Sequence, residues 1–277
     1  MDKPHLKKTF AKRSFGQNFL IDEKVIAKII DSLNLEGNET VIEIGSGRGA
    51  LTEILIEKAE RVIAIELDRD LIPVLQARFG VFKNFELVDA DALKINFADI
   101  TGTDGKVKLV ANLPYNISTA ILQRLSDQRH MFSDLILMFQ SEVVERITAR
   151  AGHKERGFLS VLVEANFDTR KLFDVPGKAF RPIPKVMSSV VRLIPKYNDI
   201  GNKVLFRQVV SKGFLQKRKT IFNNFKGEFA NAKLLLETSG IDPSRRAETL
   251  TLEEWIGLVD SIDSYNGTMA RMTSEVS

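Results

Sequence analysis

Short apolar runs recur along the first half of the chain at intervals of roughly 20–25 residues. Each run is rich in Val, Ile and Leu without strict alternation, as in parallel strands that are covered on both faces. The segments between them carry apolar residues at positions i, i+3 and i+4, which predicts amphipathic helices. The predicted strands are residues 40–45, 61–66, 84–89 and 107–112, and the predicted helices include residues 50–59 and 69–79. This alternation predicts an α/β protein with a doubly wound sheet.

Three later segments extend the predicted sheet. Residues 135–140 have the pattern of a fifth strand, and residues 187–194 have the β-branched content of a late strand. Residues 167–175 can pair with that late strand.

The pattern of hydrophobic and polar residues changes after Pro195. A polar linker at residues 197–202 leads into segments that have helical periodicity and no strand pattern. We therefore predict a first domain over residues 1–196 and a helical second domain over residues 197–277.

Composition narrows the class of protein. The chain has 277 residues, 44% of them hydrophobic, and no cysteine, which excludes disulfides, a thiolate nucleophile and Cys-ligated zinc. Its three histidines are scattered, so we expect no metal. The first 15 residues lack the apolar core of a secretory signal, and no apolar run approaches the roughly 20 residues of a membrane span. We therefore expect a cytoplasmic protein that does not contact a membrane.

The net charge of +4 is modest but unevenly distributed. Basic residues concentrate in two runs, an N-terminal one with Lys3, Lys7, Lys8, Lys12 and Arg13 and a later one with Lys217, Arg218 and Lys219. Aromatic residues flank both runs, and this combination favours a polyanion such as nucleic acid as the partner. The alternative is that each run is a solvated face.

The first two predicted strands end in residues that suit a nucleoside. The strand at 40–45 leads into a glycine-rich turn over Gly45–Ala50, where backbone N–H groups can approach a ligand at a helix N-terminus. The second strand ends in Glu66, placed to accept ribose hydroxyls. Asp68 is an alternative for that role, the loop would serve a dinucleotide equally well, and a tight turn without a ligand also has this pattern.

The third predicted strand is followed by Asp91. Its carboxylate suits the exocyclic amine of an adenine, and dinucleotide enzymes need no acid at this edge. Asp91 therefore favours S-adenosylmethionine over NAD as the cofactor. Alternatively, Asp91 is the N-cap of a short helix.

The fourth predicted strand ends in Asn112-Leu113-Pro114-Tyr115. An amino group on an aromatic ring is a poor nucleophile because its lone pair is delocalised. The Asn112 side-chain oxygen and the Leu113 carbonyl can each accept one of its N–H groups, while Pro114 fixes the turn and Tyr115 can stack on a flipped-out base. The tetrapeptide predicts methyl transfer to a base amine by positioning, and the three preceding strand ends disfavour the alternative of an ordinary Asn-Pro loop.

These residues carry a resemblance to a known family. In chain order the motifs are FGQNFLID (15–22), EIGSGRGALT (43–52), IELD (65–68), DADAL (89–93), NLPYNIST (112–119), FRPIPKVMSSVV (180–191) and FLQKRKTIFNNF (214–225). The chain is similar over nearly its whole length to the ribosomal RNA adenine N6-dimethyltransferases, most closely to the branch that acts on small-subunit (16S) rRNA. DNA adenine methyltransferases usually have proline at the position of Leu113, which points to RNA.

The resemblance implies a Rossmann-like, seven-stranded S-adenosylmethionine-dependent methyltransferase core with a small α-helical C-terminal domain that binds RNA. It implies dimethylation at N6 of two adjacent adenosines in a hairpin near the 3′ end of 16S rRNA, in an immature small ribosomal subunit. It assigns cofactor contacts to Asn18, Leu20, Gly45, Glu66, Asp91 and Asn112. It assigns the target base to Asn112, Leu113, Pro114 and Tyr115, with Phe180 covering the opposite face of the base.

The chain departs from the family pattern in one segment. Residues 156–161 are Arg-Gly-Phe-Leu-Ser-Val where the family often has Tyr-Gly-Arg-Leu-Ser-Val, so no RNA contact is carried over to this segment.

Two other functions stay open at this point. A macrolide-resistance methylase acting on large-subunit rRNA would share the cofactor, although the NLPYNIST and KRKTIFNNF segments favour the small-subunit branch. A ribosome-assembly factor that only binds RNA would not need Glu66, Asp91 and Asn112 together. We expect the protein to be a monomer.

Overall fold

The computed structural model describes residues 12, 16–102, 106–197, 200–229 and 231–274, except for the side chains of Tyr115 and residues 268–274. The strands in these ranges are β1 Phe19–Leu20, β2 Thr40–Ile44, β3 Arg61–Glu66, β4 Phe85–Asp89, β5 Val107–Asn112, β6 Phe132–Gln140, β7 Phe167–Val175, β8 Phe180–Arg181 and β9 Ser188–Pro195. The α-helices are α1 Glu23–Asp31, α2 Thr52–Lys58, α3 Ile72–Phe79, α4 Phe97–Thr101, α5 Ser118–Asp127, α6 Ser141–Ile147, α7 Phe158–Asn166, α8 Lys203–Gly213, α9 Ile221–Phe225, α10 Ala232–Thr238 and α11 Leu252–Ser274.

Seven strands form one mixed sheet in the order β4-β3-β2-β5-β6-β9-β7. The first five of these are parallel to one another, whereas β9 is antiparallel to both β6 and β7. The parallel order reverses at β2, which lies between β3 and β5. Ligands of such sheets bind at the carboxyl ends of the strands beside this reversal.

The predicted elements agree with the structure except at their ends. The sheet has the predicted seven strands, and β7 pairs with β9 as predicted. Strand β6 begins at Phe132, three residues before the predicted start, because Phe132 is fully buried and pairs with Val107. Helix α2 begins two residues after its predicted start, because the glycine-rich turn continues as far as Leu51.

The short strands β1 and β8 form a separate antiparallel ribbon, with Leu20 opposite Phe180. Both residues are buried in the hydrophobic core that α1 and α2 share with the sheet. The ribbon therefore attaches the segment that precedes α1 to the domain that contains the sheet.

The chain folds as two compact units, a sheet unit of residues 1–144 and 167–195 and a helical unit of residues 145–166 and 196–277. The single boundary predicted at residue 197 is therefore incomplete, because α7 belongs to the helical unit. Val161 and Ala165 on α7 are buried in the same core as Trp255 of α11. The sequence pattern offered no sign of this because α7 lies between two strands of the sheet.

The side chain of Arg156 helps to attach residues 145–166 to the rest of the helical unit. Its side chain is completely buried, donates to the carbonyl oxygens of Ala149 (3.0 Å) and Leu250 (3.3 Å), and forms an ion pair with Glu164 at 2.7 Å. A buried guanidinium with these partners holds residues 149–164 to the turn before α11. The departure from the family pattern at residue 156 therefore has a structural role within the helical unit.

Candidate active site

A cavity of about 380 Å³ lies at the carboxyl edge of the parallel strands. Its walls are the residues that follow β2, β3, β4 and β5, together with residues 16–20 of the N-terminal segment. The predicted site residues Asn18, Leu20, Gly45, Glu66, Asp91, Asn112, Leu113 and Pro114 all line this cavity. The topology of the sheet thus brings together residues that lie far apart in the sequence, from Asn18 to Pro114.

The glycine-rich turn after β2 forms one wall. Gly45 and Gly47 have positive φ angles of 73° and 59° and line the cavity, and the Gly45 N–H donates to the Ile65 carbonyl at 2.8 Å. A Cβ atom on Gly47 would lie 3.2 Å from the Phe19 ring. Gly49 has a packing role instead, because a Cβ atom there would lie 2.2 Å from the Phe79 ring. The first two glycines therefore keep backbone exposed to the cavity.

Glu66 is held by the backbone around it. Its Oε1 accepts the N–H groups of Leu67 and Asp68, both at 2.9 Å, and its Oε2 accepts the Gly47 N–H at 2.8 Å. A carboxylate has about four acceptor positions, so one is left on Oε2. Glu66 also lines the cavity.

Asp68 does not line the cavity, whereas Glu66 does. It is 3% exposed and accepts hydrogen bonds from Lys12 Nζ (2.5 Å) and Gln17 Nε2 (2.7 Å). Burial favours the neutral form, but these hydrogen bonds outweigh it and hold the pKa of the Asp68 carboxyl below its ordinary value. Glu66 is therefore the acid at this strand end that a ligand can reach.

Asp91 caps a turn at residues 92–94 and not a short helix. Its Oδ1 accepts the Leu93 N–H at 3.0 Å and caps a turn, and its Oδ2 lies 3.8 Å from Lys94 Nζ. The side chain also lines the cavity. The cap fixes the carboxylate and leaves Oδ2 as the oxygen with the greater acceptor capacity.

Glu43 is a cavity residue that the sequence analysis did not single out. It is 1% exposed, and its Oε2 accepts a hydrogen bond from the Thr52 hydroxyl at 2.5 Å. Burial raises the pKa of the Glu43 carboxyl to about 7. The signal in the sequence was an acid inside the apolar run of β2, since a charged residue is seldom fully buried without a reason.

The turn after β5 carries the residues predicted to bind an acceptor. The Asn112 Nδ2 donates to the Asn18 carbonyl at 3.4 Å, and the Leu113 N–H donates to the Met138 carbonyl at 3.4 Å. Pro114 lies before a single 3₁₀ turn over Tyr115–Ile117. The side chain of Tyr115 lies outside the described part of the structure, so its predicted stacking on a base stays a prediction.

Phe180 does not have the position predicted for it. Its side chain is 1% exposed, does not line the cavity, and lies in the core of the sheet unit together with Ala179 and Val190. The physical reason is the β1–β8 ribbon, in which Phe180 opposes the buried Leu20. In this structure the ring is not available to cover a base.

The later basic run is exposed, whereas Lys12 of the N-terminal run is engaged in ion pairs. Lys217, Arg218 and Lys219 are exposed in the loop between α8 and α9, as a nucleic-acid contact requires. In the N-terminal run, Lys12 forms ion pairs with Asp68 and Asp70. The other members of that run lie outside the described residues.

The cavity fits an adenosine-containing donor. Gly45 and Gly47 present backbone with no side chain, and the carboxylates of Glu66 and Asp91 lie in the same cavity with acceptor capacity left for the hydroxyl and amine groups of such a donor. Among the described residues, no group of three His, Asp or Glu side chains could hold a metal ion. No helix in the described ranges is long and apolar enough to cross a membrane.

Comparisons with known proteins agree with this geometry. The family described as "Ribosomal RNA adenine dimethylase" matches residues 9–264. "Ribosomal RNA small subunit methyltransferase A" of Clostridium botulinum (strain Okra / Type B1) is 43% identical over 256 residues, covering 90% of this chain and 93% of the relative. The protein of the same name from Geobacter metallireducens is 39% identical over 270 residues, covering 93% and 97%.

Solved structures give the same class. A dimethyladenosine transferase from Plasmodium falciparum has a TM-score of 0.77 and 27% identity, covering 89% of this chain and 98% of that one. The 23S rRNA methyltransferase ErmE shares the fold, with a TM-score of 0.67 and 24% identity over 89% of this chain and all of that one. The fold and site define a Rossmann-like, S-adenosylmethionine-dependent methyltransferase. Within that class, the chain belongs to the ribosomal RNA adenine dimethylase family.

Proposed function

We propose that this enzyme dimethylates N6 of two adjacent adenosines in a hairpin near the 3′ end of 16S rRNA during assembly of the small ribosomal subunit. The choice of the small subunit rests on relatives named for it that align with about nine tenths of the chain. The single observation that carries the chemistry is the Asn112 turn, which lies in the same cavity as Glu66 and Asp91.

We assign the donor to the walls formed by β2, β3 and β4. Glu66 accepts a ribose hydroxyl, Asp91 accepts the adenine amine, and the backbone at Gly45 lies along the amino-acid portion. Asn18 and Leu20 belong to the segment that closes the cavity beside them. S-adenosylmethionine, when bound, supplies a methyl group on a sulfonium, which is electrophilic enough that the protein needs no metal to activate it.

We assign the acceptor amine to Asn112 and Leu113. Because Asn112 Nδ2 donates to the Asn18 carbonyl, the side-chain Oδ1 is the end left to accept an N–H. In the first of the two transfers, the second N–H bonds to the Leu113 carbonyl, whose direction Pro114 fixes; the monomethylated amine keeps one N–H for these two acceptors. Two acceptors at one nitrogen favour tetrahedral geometry, which localises its lone pair for attack and catalyses by orientation.

The target base must leave its stack before Asn112 can reach N6, at a cost of a few kcal/mol. Tyr115 is the remaining candidate to offset this cost by stacking, which contributes roughly 1–3 kcal/mol per base. We assign Lys217, Arg218 and Lys219 to phosphate contacts, since all three are exposed. RNA recognition then depends mainly on shape around the hairpin. We further propose that the enzyme is a monomer and that it acts in the cytoplasm.

The test is to incubate the protein with labelled S-adenosylmethionine and each of two substrates, unmethylated small-subunit particles and protein-free large-subunit rRNA. We expect N6,N6-dimethyladenosine at two adjacent positions near the 3′ end of 16S rRNA. An Asn112→Ala variant is the control for contaminating methylases. Modification of 23S rRNA with no reaction on small-subunit particles would replace the proposal with a resistance methylase, the function that the fold shared with ErmE also accommodates.

A further inference from the structure

The two acids at the end of β3 have separate tasks. Glu66 lines the donor cavity, whereas Asp68 is directed toward the N-terminal segment and contacts Lys12 and Gln17. The two are also connected, because the backbone N–H of Asp68 donates to Glu66 Oε1 at 2.9 Å. A change at Asp68 can therefore affect the cavity although Asp68 is not part of its wall.

Gln17 connects Asp68 to that wall. Its side-chain Nε2 donates to Asp68 Oδ2 at 2.7 Å, and its Oε1 accepts the Lys12 N–H at 2.8 Å, so both ends of the amide are engaged. Lys12 Nζ reaches Asp68 at 2.5 Å and Asp70 at 2.6 Å. These hydrogen bonds together fix Gln17, itself a cavity residue.

The residues after Gln17 extend the wall to both parts of the site. The Asn18 carbonyl accepts the Asn112 amide, and Phe19 packs against Gly47 while the Arg48 guanidinium lies 4.5 Å from the centre of its ring. Leu20 pairs with Phe180 in the β1–β8 ribbon. The wall is therefore anchored at its far end by the ribbon and at its near end by Asp68.

The near anchor depends on charge. The Asp68 side chain is 4% exposed and that of Lys12 is 35% exposed. Hydrogen bonds to Asp68 and then to Asp70 raise the pKa of Lys12, so the pair is fully ionised at neutral pH. An ionised carboxylate this deeply buried is stable only with its partners in place. The hydrogen bonds and the ion pair thus support each other.

We propose that Asp68 is a positioning residue for donor binding: through Lys12 and Gln17 it holds residues 16–20 as a wall of the donor cavity. Donor affinity then depends on an ion pair that the donor itself does not touch. This inference rests on the proposed function only in taking the cavity to be the donor site, and it does not depend on which RNA is methylated.

The test is calorimetric binding of S-adenosylhomocysteine, the unreactive product, to the full chain. We expect Asp68→Asn to weaken binding by about 5–20-fold, because asparagine keeps the shape but loses the charge and the acceptor for Gln17 Nε2. The matched control is Asp70→Asn. Asp70 is a partner of the same lysine, but its side chain is 65% exposed, so we expect this variant to change the affinity by less than about twofold. Equal binding by Asp68→Asn and wild type, or equal losses in both variants, would overturn the inference.

Two further readouts separate positioning from loss of folding. Lys12→Met should weaken binding in the same direction, and adding it to Asp68→Asn should change little more, whereas additive losses would show that the two residues act independently. In turnover assays Asp68→Asn should raise the donor KM and leave kcat within about twofold of wild type. A fall in kcat alone would contradict the inference.

Glu66→Gln in the same binding assay distinguishes the two possible failures. If Glu66→Gln weakens binding and Asp68→Asn does not, the cavity is the donor site and only the role of Asp68 is wrong. If neither variant weakens binding, the assignment of the cavity to the donor fails as well.

Discussion

The donor part of the cavity and its acceptor part are constructed differently. On the donor side, the Glu66 carboxylate is fixed by three backbone N–H groups and Asp91 by a turn that it caps. On the acceptor side, the Asn112 amide has one hydrogen bond of 3.4 Å to the wall formed by residues 16–20. The aromatic ring expected opposite the base lies in the core.

This difference indicates when each part of the site is completed. A carboxylate that is already oriented needs no rearrangement, so the free energy of donor binding is not used to order the protein. The acceptor side instead offers a few hydrogen-bond acceptors on a turn, and the flipped base itself must complete the geometry. We therefore expect changes on the donor side to alter affinity and changes at Asn112 to alter the chemical step.

The largest effect is expected from Phe180→Ala, and it should be an effect on stability. Removing a fully buried phenylalanine ring should lower the free energy of unfolding by about 3–5 kcal/mol. Phe180→Leu, which retains most of the apolar volume, is the control and should leave methyl transfer close to wild type. If Phe180→Leu has the same free energy of unfolding as wild type but transfers methyl groups poorly, the ring covers the base during the reaction.

Asn112→Ala should lower the single-turnover rate of methyl transfer by about 10²–10³-fold, comparable to removal of one preorganised polar group from an active site. Affinity for S-adenosylhomocysteine should stay within about threefold, because Asn112 is assigned to the acceptor. Quench-flow kinetics and calorimetry on the same preparation check both expectations. A near-normal rate would exclude the proposed polarisation of the amine.

The buried Glu43 should make stability depend on pH. Its pKa of about 7 in the folded protein exceeds the ordinary value of 4.5, so the folded state binds the extra proton between these values. The free energy of unfolding should therefore be highest below pH 4.5 with respect to this group, and should fall by up to about 3 kcal/mol as the pH rises through 7. Urea unfolding of wild type and Glu43→Gln across this range isolates the contribution, and identical pH profiles would show that Glu43 stays ionised.

Glu66→Gln should weaken S-adenosylhomocysteine binding by about 1.5–3 kcal/mol, the value of one hydrogen bond to a charged group, because Oε2 has one acceptor position left. The single-turnover rate at saturating donor should change far less. Unchanged affinity would mean that the ribose lies elsewhere in the cavity.

Replacing Lys217, Arg218 and Lys219 with glutamine should have the smallest effect at low salt. If all three contact phosphates, the slope of log K for RNA against log salt should flatten by about 2–3. The matched control is Lys233→Gln on α10, an exposed lysine of the same unit that is paired with Glu237. An unchanged slope would identify the run as a solvated face.

The sequence predicted the sheet, and the meeting of its strand-end residues at one cavity, for a physical reason. Apolar runs covered on both faces, separated by helical periods, allow few arrangements other than a doubly wound parallel sheet. Its strand ends must then meet at one edge, and this places Gly45, Glu66, Asp91 and Asn112 together. These inferences needed only local patterns and a topological rule.

The features that sequence reasoning missed depend on contacts between distant parts of the chain. Phe180 is buried because it pairs with Leu20. Asp68 accepts a hydrogen bond from Lys12, a residue 56 positions earlier in the chain. Helix α7 joins the helical unit through Val161 and Ala165, although its own sequence resembles any helix between two strands. Periodicity and motif spacing carry no information about such pairings.

We propose that the donor site is already formed in the free protein and that Glu66, not Asp68, is its ribose acid. A crystal structure with S-adenosylhomocysteine bound tests this most directly. We expect a ribose hydroxyl within hydrogen-bonding distance of Glu66 Oε2 and the adenine amine beside Asp91, while the hydrogen bonds from Lys12 and Gln17 to Asp68 persist. A ribose bound to an Asp68 that has released Lys12, or a rearranged wall at residues 16–20, would contradict the account.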